Sequence, residues 1–230
     1  LPPVDPADRT QSLDPARLDK LADGVYELGS IFKTLTIAMA LEAGTADLDK
    51  IYDVRAPLQV GRYIIRDPYP VGRPLSVREI FVRSSNVGAG MLALELGSER
   101  QRAYLERFGL IKPIRSEAGP IAAPKLPRRW GKAETITIAY GHGLAVAPLQ
   151  FAATAAMLVN GGLFVAPTFR MSSPETARPV QRIVSPETSA AIRDLMRSNV
   201  VSPHGTGRRA DVPGYEVGGK TGTAELPGRG

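Results

Sequence analysis

Ser30-Ile31-Phe32-Lys33 opens the stretch around which the rest of the chain is organised. The run that continues to Ala43 is rich in Ala, Leu, Ile and Met, contains no proline and stops at Gly44, which predicts a buried helix with a glycine stop. Ser30 would lie at or near the helix N-terminus, with Lys33 one turn later on the same face. The amine could then take the hydroxyl proton, and the positive helix end favours developing negative charge. The same pair also fits an ordinary capping serine followed by a helical lysine.

Composition limits the classes of protein to which the chain can belong. Its 230 residues are 43% hydrophobic and 23% charged, a globular balance with room for one large domain or two small ones. The net charge of +6 favours anionic partners, but no basic run is interleaved with aromatic residues, so we predict no nucleic-acid partner. There is no cysteine, and His142 and His204 are far apart, so we predict no metal and no cofactor.

The two ends of the chain look like cuts inside a longer protein, because it opens on Leu1-Pro2-Pro3 and closes soon after a strand-like segment. No signal peptide and no apolar run of membrane-spanning length is present. We interpret residues 1–29 as a lead-in, with one helical patch near Pro15–Ala22. Residues 30–200 are predicted to form a mainly helical lobe, and residues 201–230 a loop followed by a strand.

Capping residues and glycine stops predict several further helices. The residues at or next to their starts are Ser76, Val87, Ser98, Pro148 and Pro186. The helix that begins at Pro148 is apolar nearly all round, which predicts a core position. Residues 45–75 and 111–134 are predicted to be irregular, and Tyr215–Ala224 to be a strand.

Three short motifs occur in order along the chain: Ser30-x-x-Lys33, Ser84-x-Asn86 and Lys220-Thr221-Gly222-Thr223. Taken singly, the second fits a helix-capping turn and the third a polar edge strand whose lysine hinders edge pairing. Together, and in this order, they resemble the three motifs of serine β-lactamases and penicillin-binding proteins.

Longer segments resemble the class B penicillin-binding proteins over nearly the whole chain. Residues 26–33 resemble their YEPGSTFK stretch, residues 84–88 match SSNVG, residues 107–110 resemble FGL, and residues 141–150 resemble GYGLxVTPLQ. The resemblance is strongest to the division-specific peptidoglycan D,D-transpeptidases of the penicillin-binding protein 3 type. The chain departs from these patterns at Leu28, where the family has Pro, at Ile31, where it has Thr, and at His142, in a region that is usually aromatic or Gly.

The resemblance implies an α+β fold of the penicillin-binding/β-lactamase-like transpeptidase type, with an antiparallel sheet packed against a helical lobe. The chain would be part of one transpeptidase domain, with the N-terminal membrane anchor, earlier domains and final strands outside it. We therefore expect an incomplete sheet, exposed edges beside Tyr215–Ala224 and poor acylation of this chain alone. The implied location is the periplasmic face of the bacterial inner membrane at the division site. The implied partners are peptidoglycan stem peptides, β-lactam inhibitors and other division proteins.

The resemblance also implies roles for the motif residues in cross-linking stem peptides that end in D-Ala-D-Ala. Ser30 would be the nucleophile and neutral Lys33 its base, with the pKa of Lys33 depressed by burial and a nearby cation such as Lys220. Ser84 would relay a proton to the leaving amine, and Asn86 would bind Lys33 and the substrate backbone.

The third motif would bind the substrate. Lys220, Thr221 and Thr223 would hold the substrate carboxylate, and Gly222 would let the strand lie close to the ligand. The backbone N–H groups of Ser30 and Thr223 would form the oxyanion hole.

Two alternatives stay open at this point. The first is a β-lactamase or D,D-carboxypeptidase of the same fold, which would need a group that activates water for deacylation; no second carboxylate is obviously placed for it. The second is a non-catalytic β-lactam sensor or division scaffold. His142 lies in a glycine-flanked turn before a core helix, which favours structural packing over acid–base work.

Overall fold

The structure is a computed structural model that describes residues 5, 7–8, 10, 19–61, 63–117, 119–171 and 180–223. The first half of the predicted patch near Pro15–Ala22 lies outside these residues, and its described half is a turn in which Asp19 O accepts from Ala22 N and Asp23 N. The described helices are α1 (Lys33–Glu42), α2 (Val77–Arg83), α3 (Asn86–Leu96), α4 (Ser98–Arg107), α5 (Lys132–Ala139), α6 (Pro148–Val159) and α7 (Pro186–Val201).

The strands of the described residues are short and pair two by two, always antiparallel. The pairs are β1 (Tyr26–Glu27) with β8 (Ala145–Val146), β2 (Ile51–Tyr52) with β5 (Leu75–Ser76), β3 (Leu58–Val60) with β4 (Tyr63–Ile65), β6 (Arg115–Ser116) with β7 (Gly119–Pro120), and β9 (Leu163–Phe164) with β10 (Gln181–Arg182). This mixture of helices and antiparallel strands confirms the predicted α+β class. None of the described helices is both long and apolar enough to cross a membrane.

Helix α1 forms the centre of the core and packs against α2, α3 and α7. Its apolar side chains are buried from Leu35 to Ala40, and Leu41 is half-buried, which confirms the buried helix predicted from its composition. The helix is preceded by a 3-10 turn, Gly29–Phe32, so Ser30 lies just before α1 and Lys33 is its first residue. The nucleophile candidate and its neighbouring amine are therefore anchored in the most buried element of the molecule.

Local capping signals fix the starts of α2 and α3. Ser76 and Glu79 form the predicted capping box, in which the side chain of each accepts a hydrogen bond from the backbone N–H of the other. Ser98, in contrast, was predicted to cap α4, and this is wrong because Ser98 is the first helical residue and makes no capping bond. The chain turns one residue earlier, at Gly97, whose φ of 86° favours glycine.

Two segments predicted to be irregular contain regular structure. Residues 45–75 hold β2, the β3–β4 hairpin and β5, and residues 111–134 hold β6, β7 and the start of α5. Strands of two or three residues are too short to show an alternating pattern in the sequence. Helix α5 did have a signal, because the Glu134 carboxylate accepts from Gly131 N three residues earlier, as in a capping box.

Helix α6 is buried on one side only, which corrects the prediction of a helix surrounded by core. Ala152 and Ala156 are exposed, whereas Gln150 and Thr154 are buried and donate hydrogen bonds to Gly109 O and Phe108 O respectively. Alanine is apolar enough to suggest a core position but small enough to tolerate solvent. The apolar composition therefore overstated the burial of α6.

The predicted strand Tyr215–Ala224 is wrong over its described residues, 215–223, which form no strand. Their backbone groups bond to α7 instead: Arg197 Nη1 donates to Val217 O, and Asn199 Nδ2 donates to Gly219 O. Gly219 N also donates to Met196 O. A strand needs a neighbouring ladder, and this segment is held by helix α7 rather than by a second strand.

Candidate active site

Lys33 is the residue that joins the first two motifs. Its side chain is fully buried, and its Nζ lies 3.0 Å from Ser30 Oγ, 3.0 Å from Ser84 Oγ and 2.7 Å from Asn86 Oδ1. Nζ also donates to Ser84 O at 2.6 Å. A protonated amine has only three hydrogens and a neutral one has two, so these four oxygens cannot all be acceptors. When Lys33 is neutral, its lone pair can accept a hydrogen bond from one of the two serine hydroxyls.

The Ser84-Ser85-Asn86 corner separates α2 from α3. Ser84 ends α2 with a left-handed backbone, φ 61°, and is the one non-glycine among the described residues with positive φ. Ser85 caps α3 by accepting from Gly88 N at 2.9 Å. The capping turn and the functional motif are therefore the same structure, in which Ser85 caps the helix while Ser84 and Asn86 reach Lys33.

Lys220 brings the third motif to the other two. Its Nζ donates to Ser84 Oγ at 2.9 Å, so one hydroxyl contacts both lysines. Thr221 donates to Thr206 Oγ1 at 2.7 Å, which ties the motif to the loop that follows α7. The three motifs predicted to converge are thus joined by hydrogen bonds that meet at the Ser84 hydroxyl.

Gly222 and Gly29 allow residues 220–223 to lie directly on the Ser30 turn. A Cβ on Gly222 would fall 2.4 Å from Ile31 Cγ1, and a Cβ on Gly29 would fall 2.0 Å from Thr223 O. Gly222 therefore permits a close approach to Ile31, and its predicted role toward a ligand stays a prediction. Thr221 and Thr223 are exposed, with their side chains on the cleft.

Burial and neighbouring charge change the ionisation of both lysines. Desolvation by burial and the Lys220 charge lower the pKa of Lys33 from 10.5 to about 7, although the Asp67 carboxylate opposes this shift. Burial also lowers the pKa of Lys220, from 10.5 to about 8. Near neutral pH, a large share of Lys33 is therefore an unprotonated amine while most of Lys220 still carries its charge.

Asp67 is a residue of the site that sequence reasoning missed, because it lies in the segment interpreted as an irregular connection. Its carboxylate accepts from Asn86 N at 2.6 Å, from Val87 N at 2.9 Å and from Ser85 Oγ at 2.7 Å. The carboxylate thus sits at the N-terminus of α3, where negative charge is favourable. It holds the corner that carries Ser84 and Asn86.

The three motifs open into one cleft of about 390 Å³. Among the described residues that line it are Ser30, Ser84, Asn86, Tyr140, His142 and Thr223. His142 was predicted to pack structurally, yet its side chain is about one-third exposed on this cleft, and its Nδ1 lies 3.0 Å from Glu27 Oε2. Within the described part of the chain, no group of His, Cys, Asp or Glu side chains could hold a metal ion.

The comparison with protein families matches this chain, over residues 3–230, to the transpeptidase domain of penicillin binding proteins. The chain is also 39% identical over 213 residues to a probable peptidoglycan D,D-transpeptidase FtsI of Caulobacter vibrioides, covering 92% of this chain and 36% of that protein. It is 35% identical to stage V sporulation protein D of Bacillus subtilis, covering 97% and 37%. The chain therefore spans little more than a third of the length of these two relatives.

A solved structure gives the same result for the fold. The transpeptidase domain of penicillin-binding protein 3 from Burkholderia pseudomallei superposes with a TM-score of 0.84 at 30% identity, covering 94% of this chain and 65% of that one. This likeness confirms the fold that the sequence predicted. The roles of the individual side chains stay predictions.

Proposed function

Because the chain belongs to the penicillin-binding protein transpeptidase family, we propose that it forms part of a division-specific peptidoglycan D,D-transpeptidase that works through a Ser30 acyl-enzyme. The strongest support is the buried Lys33 amine, which lies 3.0 Å from both Ser30 Oγ and Ser84 Oγ. Stem peptides, β-lactams and other division proteins are the proposed partners. The proposed location is the periplasmic face of the bacterial inner membrane, with the chain held there through an anchor elsewhere in the protein.

In the proposed acylation, unprotonated Lys33 accepts the proton of Ser30 while Oγ attacks the carbonyl carbon of the penultimate D-Ala. A C–Oγ bond forms and the C–N bond to the last D-Ala breaks. The leaving nitrogen needs a proton, which Lys33 returns through the Ser84 hydroxyl. Ser84 suits this relay because its Oγ is 3.0 Å from Lys33 Nζ and 2.9 Å from Lys220 Nζ.

Binding of the donor peptide falls to residues 220–223. The hydroxyls of Thr221 and Thr223 would bind the terminal carboxylate, and Lys220 would supply positive charge from beside Ser84. Thr206 keeps Thr221 in place through their 2.7 Å hydrogen bond. Asn86 would orient the peptide backbone with its amide nitrogen while its Oδ1 faces Lys33.

The oxyanion of the tetrahedral intermediate would be bound by the backbone N–H groups of Ser30 and Thr223. The close contact between Gly29 and Thr223 supports this pairing, because it brings the two segments to van der Waals distance. One such donor is worth about 3 kcal/mol of transition-state stabilisation. In the second half-reaction, the amine of another stem peptide attacks the ester: a C–N bond forms as the C–Oγ bond breaks, and a proton of the amine passes to Ser30 Oγ.

The experiment that tests the proposal is mass spectrometry of the full-length protein after exposure to penicillin. We expect one long-lived adduct, located on Ser30 by peptide mapping, together with release of D-Ala from a pentapeptide donor when an acceptor peptide is present. Rapid loss of the adduct to water would favour a β-lactamase or D,D-carboxypeptidase instead. Adduct formation without turnover of any peptide would favour a β-lactam sensor or scaffold.

The acylation rate should depend on pH through both lysines. Lys33 must be neutral to accept a proton, so the second-order rate with penicillin should rise through about pH 7; Lys220 must be charged, so the rate should fall above about pH 8. Asp67→Asn should move the rising limb to lower pH, because the Asp67 charge raises the pKa of Lys33. The matched control Asp53→Asn, at an exposed carboxylate paired with Arg55, should leave both limbs in place. A rate that stays constant through pH 7 would contradict Lys33 as the base.

Ser84→Gly should separate the function of this residue from its backbone strain. Removal of the hydroxyl that contacts both lysines should lower the acylation rate by about 100-fold. The fold should not suffer, because glycine relieves a left-handed backbone that costs an L-residue about 1 kcal/mol. Ser84→Ala is the matched variant: its acylation rate should fall equally, while its unfolding free energy stays below that of Ser84→Gly. Acylation that survives in both variants would exclude the Ser84 relay.

A further inference from the structure

Glu27 and His142 form a pair that the acylation chemistry does not use. Glu27 lies in β1, and His142 lies three residues before β8, with which β1 pairs, so the pairing brings the two residues together. Glu27 Oε2 is 3.0 Å from His142 Nδ1, and Glu27 Oε1 accepts from Gly143 N at 2.8 Å. Each side chain is about one-third exposed, and His142 faces the cleft that contains Ser30.

The carboxylate determines which imidazole nitrogen faces the substrate. Ionised Glu27 can only accept hydrogen bonds, so the nitrogen next to it, Nδ1 of His142, must carry a hydrogen. Nε2 of a neutral His142 is then a lone-pair acceptor. Nε2 makes no hydrogen bond to any other described residue. A base that is oriented from behind by a carboxylate and open to the cleft is suited to a cationic N–H donor.

The charges around the cleft make this position distinct. Arg83 lines the cleft, and Lys33 and Lys220 lie behind the Ser84 hydroxyl. Asp67 accepts three hydrogen bonds at the α3 corner, and its charge acts on Lys33. Glu27 is the acidic group in contact with His142 on the cleft wall, so it can attract a cation to this position through His142. A peptide that carries both a carboxylate and a primary amine would be oriented in the cleft, with its carboxylate toward the cations and its amine toward Glu27 and His142.

We propose that the Glu27–His142 pair is a binding site for a primary ammonium group of the peptide substrate. This inference rests on the proposed transpeptidase function and adds the substrate group that this wall recognises. The ammonium donates one N–H to His142 Nε2, and Glu27 stabilises its charge. The amine belongs either to the acceptor peptide or to a side chain of the donor peptide, and these two sources are separable by experiment.

When the amine is that of the acceptor, the pair also prepares the nucleophile. The ammonium gives one proton to His142 Nε2, and the neutral nitrogen attacks the carbonyl carbon of the acyl-enzyme. The new C–N bond forms as the C–Oγ bond to Ser30 breaks, and a second proton passes from the nitrogen to Ser30 through Lys33. The third hydrogen remains on the new amide, and His142 releases its proton to water.

Two variants test the site in the full-length protein. In Glu27→Gln, the amide oxygen can still accept from Gly143 N, and the amide nitrogen donates to His142 Nδ1. His142 Nε2 must then carry the ring hydrogen, so it can no longer accept a hydrogen bond from the substrate. His142→Tyr keeps an aromatic ring and removes the base. The probes are penicillin, an N-acetylated D-Ala peptide thioester as donor, and a stem peptide with one free side-chain amine as acceptor. The control acceptor is the same peptide with that amine acetylated.

We expect both variants to be acylated by penicillin at nearly the wild-type rate, while the ratio of peptide transfer to hydrolysis falls at least about tenfold with the free-amine acceptor. If the amine is instead that of the donor, acylation by a free-amine donor falls while acylation by its acetylated form does not, and this result also supports the site. An unchanged transfer ratio and unchanged donor discrimination overturn the inference while leaving the proposed function intact. Absence of any Ser30 adduct in the wild type overturns both. Should His142→Tyr lower the melting temperature, Glu27→Gln alone decides.

Discussion

Ser30→Ala should abolish the penicillin adduct and lower peptide turnover by about 10⁵-fold or more, the largest effect expected for any single substitution in this chain. No other described hydroxyl has the same surroundings, because Ser30 combines a 3.0 Å contact to the Lys33 amine with a position at the start of α1. Ser84 also contacts Lys33, but its Oγ is shared with Lys220 and would attack less readily. The measurement is intact mass after penicillin exposure, followed by peptide mapping.

The fold of Ser30→Ala should remain close to that of the wild type. The variant loses one hydrogen bond from Lys33, so the unfolding free energy should change by about 1 kcal/mol or less. Ser98→Ala is a matched control, since Ser98 is a helical residue without a capping bond, and it should label like the wild type. An adduct of undiminished yield on Ser30→Ala would show that the nucleophile lies elsewhere and would falsify the proposed function.

Lys33→Met is expected to have the second largest effect, a loss of about 10³-fold in acylation rate. Methionine fills a similar volume and cannot accept the proton of Ser30. The rate of the variant should no longer rise through pH 7, because that rise reflects the pKa of Lys33. Stopped-flow labelling with a chromogenic β-lactam across this pH range gives both quantities.

The stability of Lys33→Met distinguishes a catalytic role from a structural one. The low pKa of Lys33 means that protonation of the folded protein is unfavourable. Between about pH 7 and 10.5, the unfolded chain therefore binds a proton at Lys33 that the folded protein does not. The contribution of Lys33 to the free energy of unfolding increases with pH over this range. Lys33→Met removes the cost of burying this amine, and we expect its melting temperature at neutral pH to equal or exceed that of the wild type. Lys50→Met is the matched control at a half-buried lysine outside the cleft that is paired with Glu95, and it should be acylated normally. If Lys33→Met lowers the melting temperature but its folded fraction is acylated at the wild-type rate, Lys33 has a structural role alone.

The parts of the site that were predictable from sequence are those set by local rules. A few neighbouring residues determine each of three features: helix α1, the capping box at Ser76, and the start of α3 after Ser85. The order of the three motifs then predicted that Lys33, Ser84 and Lys220 would meet, and the structure brings them together. Their chemical roles are still predictions that the variants above test.

The parts that sequence reasoning missed depend on contacts between distant segments. Asp67 carries no motif of its own, and its importance arises only because β3–β4 returns the chain to the corner at Ser85. His142 fits a structural interpretation until β1 and β8 place it beside Glu27. Residues 215–223 have the composition of a strand but make their hydrogen bonds to α7. In all three cases the deciding partner is far away in the sequence, where spacing rules give no information.

The bond between Lys220 and Ser84 has a consequence for the synthesis of this protein. It spans 136 residues, whereas the contacts of Lys33 to Ser84 and Asn86 span 51 and 53. As the chain leaves the ribosome, the nucleophile and its base can therefore be assembled long before residues 220–223 emerge. Contacts of such long range form late in folding. A nascent chain would thus carry a formed Ser30 turn without the groups that capture a carboxylate, and it would remain unreactive until this segment has docked.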